Sequence, residues 1–125
     1  MRQVFAVPER GDVVLITFPS SGRPRGAAAR LAVAVLSPQA YNARVGLALT
    51  CPIVARATGY PFEVRVPPDL SVAGVILADQ PASLDWRARR SEKAGSLPTA
   101  VVDEVLGKLR ALLIRDPGNR DLSRL

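Results

Sequence analysis

Histidine is absent from all 125 residues. That absence removes Ser-His-Asp and Cys-His nucleophilic schemes and most zinc sites. Any acid–base chemistry must come from carboxylates, Tyr, Lys, Arg or the substrate itself. Cysteine occurs once, as Cys51, so no intrachain disulfide can form and an oxidising compartment is not implied. Cys51 lies in the apolar run Leu47–Val54 and reads as a small buried hydrophobe. No apolar stretch approaches the length of a membrane span, and Met1–Glu9 lacks the apolar core of a signal peptide. The expected location is therefore the cytoplasm, with no membrane partner. Lysine is scarce: of seventeen basic residues, fifteen are Arg.

That Arg excess is the main thing present. The formal net charge is +6. Arg stays charged and offers a planar fork of donors that suits phosphates. A basic small domain favours an acidic partner, either nucleic acid or an acidic peptide. High-GC coding would produce the same excess, and the composition leaves both readings open. The length fits one domain able to bury a core without disulfides or metals. We expect that domain over residues 1–114, followed by a polar tail over 115–125.

Hydrophobic patterning predicts the elements. Val13–Phe18 is apolar on both faces, as expected of a strand covered on both sides. Pro19–Ala29 reads as a polar loop, Leu31–Leu36 as a second strand, and Pro38–Arg44 as a turn or short helix. Val45–Val54 reads as a third strand and Tyr60–Val66 as a fourth. In the fourth, Phe62, Val64 and Val66 share one face, and Glu63 and Arg65 the other. Gly74–Ala78 and Ala82–Trp86 add two short strands. The period then changes. Val101, Val102, Val105, Leu106, Leu109, Leu112 and Leu113 recur at helical spacing, predicting a helix over 98–113. Pro98 suits its first turn, and Asp103 and Glu104 would complement its dipole. Five or six short strands followed by one amphipathic helix predict a mainly β fold, a small partly open antiparallel barrel.

Three blocks carry a sharper signal. Gly59–Val64 reads Gly-Tyr-Pro-Phe-Glu-Val, Gly74–Gln80 reads Gly-Val-Ile-Leu-Ala-Asp-Gln, and Ser83–Arg89 reads Ser-Leu-Asp-Trp-Arg-Ala-Arg. In this order they resemble the MazF/PemK family of bacterial toxins, small dimeric endoribonucleases that cut single-stranded RNA. The resemblance runs from about Val7 to Leu113. It implies an SH3-like barrel with a C-terminal helix (the MazF/PemK/CcdB-like fold), a homodimer, and an acidic antitoxin peptide as partner. It also implies cleavage without metal or other cofactor, in which the RNA's own 2′-OH attacks the adjacent phosphate.

The resemblance assigns roles residue by residue. Arg30, before Leu31–Pro38, is the counterpart of the family's critical Arg, although the family's following Pro is missing. From Arg30 to Ser37 there is one residue more than usual, and a shift of one in a strand exchanges the faces. Arg30 therefore requires a loop position or a bulge if it is to serve. The family's first-loop Glu has no counterpart, because no carboxylate lies between Asp12 and Glu63. Arg23 and Arg25 occupy that loop, as RNA contacts or as a soluble tip. The family's Thr or Ser after the third strand is replaced by Val54 and Ala55. Arg56 holds a polar loop position that would face RNA. Trp86 reads as core or dimer contact, and Arg87 and Arg89 beside it as phosphate contacts. Two functions follow: a ribonuclease toxin, or a MazF-like dimer that binds RNA, DNA or an antitoxin without cutting.

Overall fold

The computed structural model describes residues 6–19 and 28–115. Arg23, Arg25 and the tail beyond Arg115 lie outside the described residues. Seven strands and two helices follow in chain order: β1 (Asp12–Pro19), β2 (Ala28–Val35), α1 (Gln39–Val45), β3 (Ala48–Val54), β4 (Glu63–Arg65), β5 (Val75–Leu77), β6 (Ala82–Leu84), β7 (Arg90–Ser96) and α2 (Thr99–Leu113). The strands form one antiparallel sheet in the order β4-β5-β3-β2-β1-β7, with β6 also on β3. One edge of β3 carries β6 at its start and β5 at its end. Among the described residues β4 and β7 do not pair, so the sheet wraps without closing. This is the partly open antiparallel barrel with a helix that the pattern predicts, and the SH3-like form with a C-terminal helix that the resemblance implies.

The central strands read as continuous apolar runs because both faces are covered. Val13, Ala34, Cys51, Ile53, Val64 and Ile76 pack with Val102, Val105 and Leu109 of α2. On the other face Val14, Ile16, Val33, Val35 and Ala48 pack around Trp86. Alternation holds in the fourth strand too: Phe62, Val64 and Val66 are buried and Arg65 is exposed.

Trp86 is core, and it anchors α1. Its indole N–H donates to Asn42 O at 3.1 Å. The Arg87 guanidinium lies 5.2 Å from the Trp86 ring centroid and donates to Ala43 O at 2.6 Å. Asn42 is fully buried and satisfied, donating to Pro8 O and Ser37 O and accepting from the Ser37 hydroxyl. Trp86→Phe would keep most of the apolar contact but orphan one lone pair of Asn42 O. We expect a loss of about 1–2 kcal/mol in urea denaturation. A loss near zero would show that the indole bond does not hold α1.

Several sequence expectations are corrected. Val45 ends α1 instead of opening β3, and Gly46 closes that helix in the left-handed region at φ 82°. Residues 60–62 form a turn, leaving β4 only three residues. Asp103 and Glu104 fall in the second turn of α2, so no acidic residue sits in the first turn. Leu112 and Leu113 are 40% and 68% exposed, because the apolar stripe outruns the sheet beneath it. Strand β7 is the largest omission. Its sequence, Arg-Ser-Glu-Lys-Ala-Gly-Ser, has no apolar alternation. It is held as an edge by backbone pairing to β1, with a bulge opposite Val13 and Val14 where Ala94 is skipped.

Candidate nucleic-acid site

Strand β7 changes which residues meet. Thr17 on β1 pairs with Arg30 of β2 on one side and with Arg90 of β7 on the other. Directly opposed residues share a face, so Arg30, Thr17 and Arg90 form one row across three strands. One row further in, Leu15 pairs with Ala32 and with Glu92. The next row, Val13 with Ala34, lies under α2. The helix thus covers one end of this face, and the Arg30 row stays open at the other.

That open end is a cleft of about 550 Å³ lined by Thr17, Arg30, Arg90, Ser91 and Glu92. Arg30 Nη2 donates to Glu92 Oε1 at 2.9 Å, with both side chains more than half exposed (52% and 71%). Such an exposed pair contributes little stability, about 0–1 kcal/mol. An incoming phosphate can therefore displace it at small cost and take the guanidinium fork.

Pairing of β1 with β2 runs unbroken from Val13–Ala34 to Pro19–Ala28. Arg30 is accordingly a strand residue, and the extra residue between Arg30 and Ser37 is not absorbed by a bulge in β2. It nevertheless faces the cleft, on the side of Ala32 and Ala34. The hydroxyl positions separate as well. Val54 follows Ile53, which packs on the α2 side, so Val54 alternates to the other face. Pairing with β2 ends at Ala32–Ile53, and Ala55 lies just past the end of β3, in a bend. Neither Val54 nor Ala55 offers a hydroxyl at this end of the strand. Thr50 does not supply one, since it is buried and donates to Ala82 O at 3.0 Å.

Of the other predicted RNA contacts, the three among the described residues, Arg56, Arg87 and Arg89, do not line the cleft. Arg56 is exposed in the turn that follows β3. Arg87 is engaged on α1 as described, and Arg89 is half-buried in the turn before β7. Sequence reasoning missed Thr17, Arg90, Ser91 and Glu92 as a set. Their only signal was the density of charge over residues 87–93, which does not reveal a strand.

The loop after β3 is built by the first two sequence blocks. The Glu63 carboxylate accepts from the Thr58 and Gly59 N–H groups and from the Thr58 hydroxyl. Chiefly the Thr58 N–H holds this carboxyl below the usual carboxylate range. Tyr60 donates its phenolic O–H to Asp79 Oδ2 at 2.7 Å, and the Asp79 carboxylate in turn raises the phenol's pKa. Lys108 of α2 donates to Pro61 O. A depressed carboxyl contributes its stabilisation above the unfolded-state pKa and loses it as pH falls through the folded-state one. The Thr58 and Gly59 amides should therefore be protected from hydrogen exchange at neutral pH and lose protection in acid, below the ordinary Glu range. In Glu63→Gln that protection should be weakened at neutral pH. Equal protection in both proteins would show that the carboxylate does not shape the loop.

Among the described residues no group of three or more His, Cys, Asp or Glu is placed to hold a metal ion. No described helix is long and apolar enough to cross a membrane.

Known proteins resemble this chain in both sequence and fold. Residues 9–113 match the model of the PemK-like, MazF-like toxins of type II toxin–antitoxin systems. The endoribonuclease toxin MazF of Escherichia coli K12 is 37% identical over 107 residues, 86% of this chain and 95% of that one. The endoribonuclease toxin ChpB of the same strain is 37% identical over 111 residues, 84% of this chain and 93% of that one. Among solved structures, a MazE–MazF crystal structure from Deinococcus radiodurans superposes with a TM-score of 0.81 at 46% identity, covering 87% of this chain and 97% of that one. The family match spans nearly the whole described structure, relatives at 37% identity cover most of the chain, and the chain belongs to the PemK-like, MazF-like toxin family of type II toxin–antitoxin systems.

Proposed function

We propose that this protein is a homodimeric toxin of a type II toxin–antitoxin system that cuts single-stranded RNA at a short sequence. The observation that carries the reading is Arg30, standing beside Arg90 in the open polar cleft of a MazF-like chain. The RNA's 2′-OH attacks the adjacent phosphate, and the products are a 2′,3′-cyclic phosphate and a 5′-OH. Arg30 is the catalytic residue, gripping two phosphate oxygens as charge develops on them. Arg23, Arg25, Arg56 and Arg89 hold the flanking RNA backbone. Arg87 adds charge to that surface while its guanidinium holds α1. No step in this scheme is routed through a metal. Its substrate places its action in the cytoplasm. An acidic antitoxin peptide would meet the same charge as RNA and compete with it.

A second reading is a MazF-like dimer that binds RNA or antitoxin without cutting. Positions 54 and 55 favour it, because Val54 and Ala55 leave the end of β3 without a hydroxyl. One assay separates the two: incubation with a long single-stranded RNA in EDTA, with the new ends mapped. Discrete cuts leaving 2′,3′-cyclic phosphate are expected. A folded protein that binds the RNA and leaves it intact would establish the second reading.

A further inference from the structure

The geometry points to Glu92 as the general base of this cleft, taking over the task of a carboxylate that the first loop lacks. The inference rests on the ribonuclease reading above and deepens it. A 2′-OH must lose its proton as it attacks. The chain has no His at all and no carboxylate between Asp12 and Glu63, so neither an imidazole nor a first-loop carboxylate can accept it. Among the described residues lining the cleft, Glu92 is the sole carboxylate. Its Oε1 stands 2.9 Å from Arg30 Nη2. A phosphate that takes the Arg30 fork therefore arrives directly beside Glu92. Glu92 comes from the edge strand β7 and Arg30 from β2, with β1 between them. Three paired strands fix their separation, which a mobile loop would not do.

The O2′–H bond breaks and its proton passes to a Glu92 carboxylate oxygen. O2′ bonds to phosphorus while the P–O5′ bond breaks. The departing O5′ takes a proton from water, and Glu92 returns its own to solvent. Arg30 on β2 and Arg90 on β7 are the charged groups facing Glu92 among the cleft residues. A guanidinium offers donors and no acceptor, so neither competes for the proton.

Glu92→Gln is the test, because the amide oxygen can still accept from Arg30 and the edge position makes misfolding improbable on physical grounds. Single-turnover cleavage should slow by about 10²–10⁴-fold, the usual range for a lost general base. RNA affinity should hold or tighten, since one negative charge is gone from the cleft. The acid limb of the pH–rate profile should flatten, and Glu92→Asp should restore part of the rate. Cleavage by Glu92→Gln within about threefold of the parent, with an unchanged pH profile, would overturn the assignment and leave Glu92 as a tether for Arg30. A parent protein that cuts no RNA would overturn the ribonuclease reading and this inference together, so the two failures are distinguishable.

Discussion

Arg30→Ala is expected to reduce cleavage by at least about 10²–10³-fold while the protein stays folded and still binds RNA. The rate effect follows from removing a preorganised donor aimed at developing phosphorane charge, where single donors are worth that much. Stability should hardly change, because the Arg30–Glu92 pair is exposed and such pairs contribute about 0–1 kcal/mol. Binding should weaken only modestly. One phosphate contact fewer lowers the slope of log affinity against log salt by about 0.7 for a single strand. Circular dichroism, a salt titration of RNA affinity and single-turnover cleavage would measure the three quantities. A variant that cuts as fast as the parent would remove Arg30 from the chemistry. A variant that binds no RNA would make Arg30 a binding residue, with no evidence left for transition-state stabilisation.

The largest expected effect on stability lies at Gly74. Its φ is +131°, and a Cβ built there would sit 2.0 Å from Val54 O and 2.8 Å from Val54 C. Those are backbone atoms, so a side chain cannot simply rotate away. The strained φ alone costs about 1–3 kcal/mol, and the contact adds a forced shift of β5 against β3. We expect Gly74→Ala to lose on the order of 3 kcal/mol or more, a large share of the ~5–15 kcal/mol that holds a small domain folded. The damage should also reach the site, because Val54 ends the strand that pairs with β2, which carries Arg30. A denaturation midpoint equal to the parent's would show that the approach is looser than described. Both the conformation and the space exclude other residues, which explains why the second sequence block opens with glycine.

What the sequence disclosed depended on whether burial or backbone pairing defines an element. Strands β1, β2 and β3 were legible because Val13–Phe18, Leu31–Leu36 and Leu47–Val54 must be covered on two faces. The α2 stripe was legible through its spacing, although Leu112 and Leu113 extend past anything that covers them. Strand β7 was not legible, since a polar edge needs only its main chain to join a sheet. With β7 unread, nothing in the residue order singles out Glu92. Its partner Arg30 lies 62 positions away, joined to it only by the strand order. Trp86 was read correctly as scaffold, and Arg87 turned out to be occupied with that scaffold as well. The three sequence blocks mark the framework: a carboxylate-capped loop, a glycine crossing and an indole anchor. The cleft itself is assembled from residues outside them.

Cys51 has a practical consequence for following these events. It is fully buried, its thiol faces Ala78 O at 3.8 Å, and burial pushes its pKa up to about 11. The native thiol is then almost entirely protonated and shielded at neutral pH, and should be silent to maleimide dyes. A cysteine placed at exposed Ala57 would be the one that labels, on the loop that follows β3. A fluorophore there could time RNA or peptide arrival in an otherwise unaltered protein.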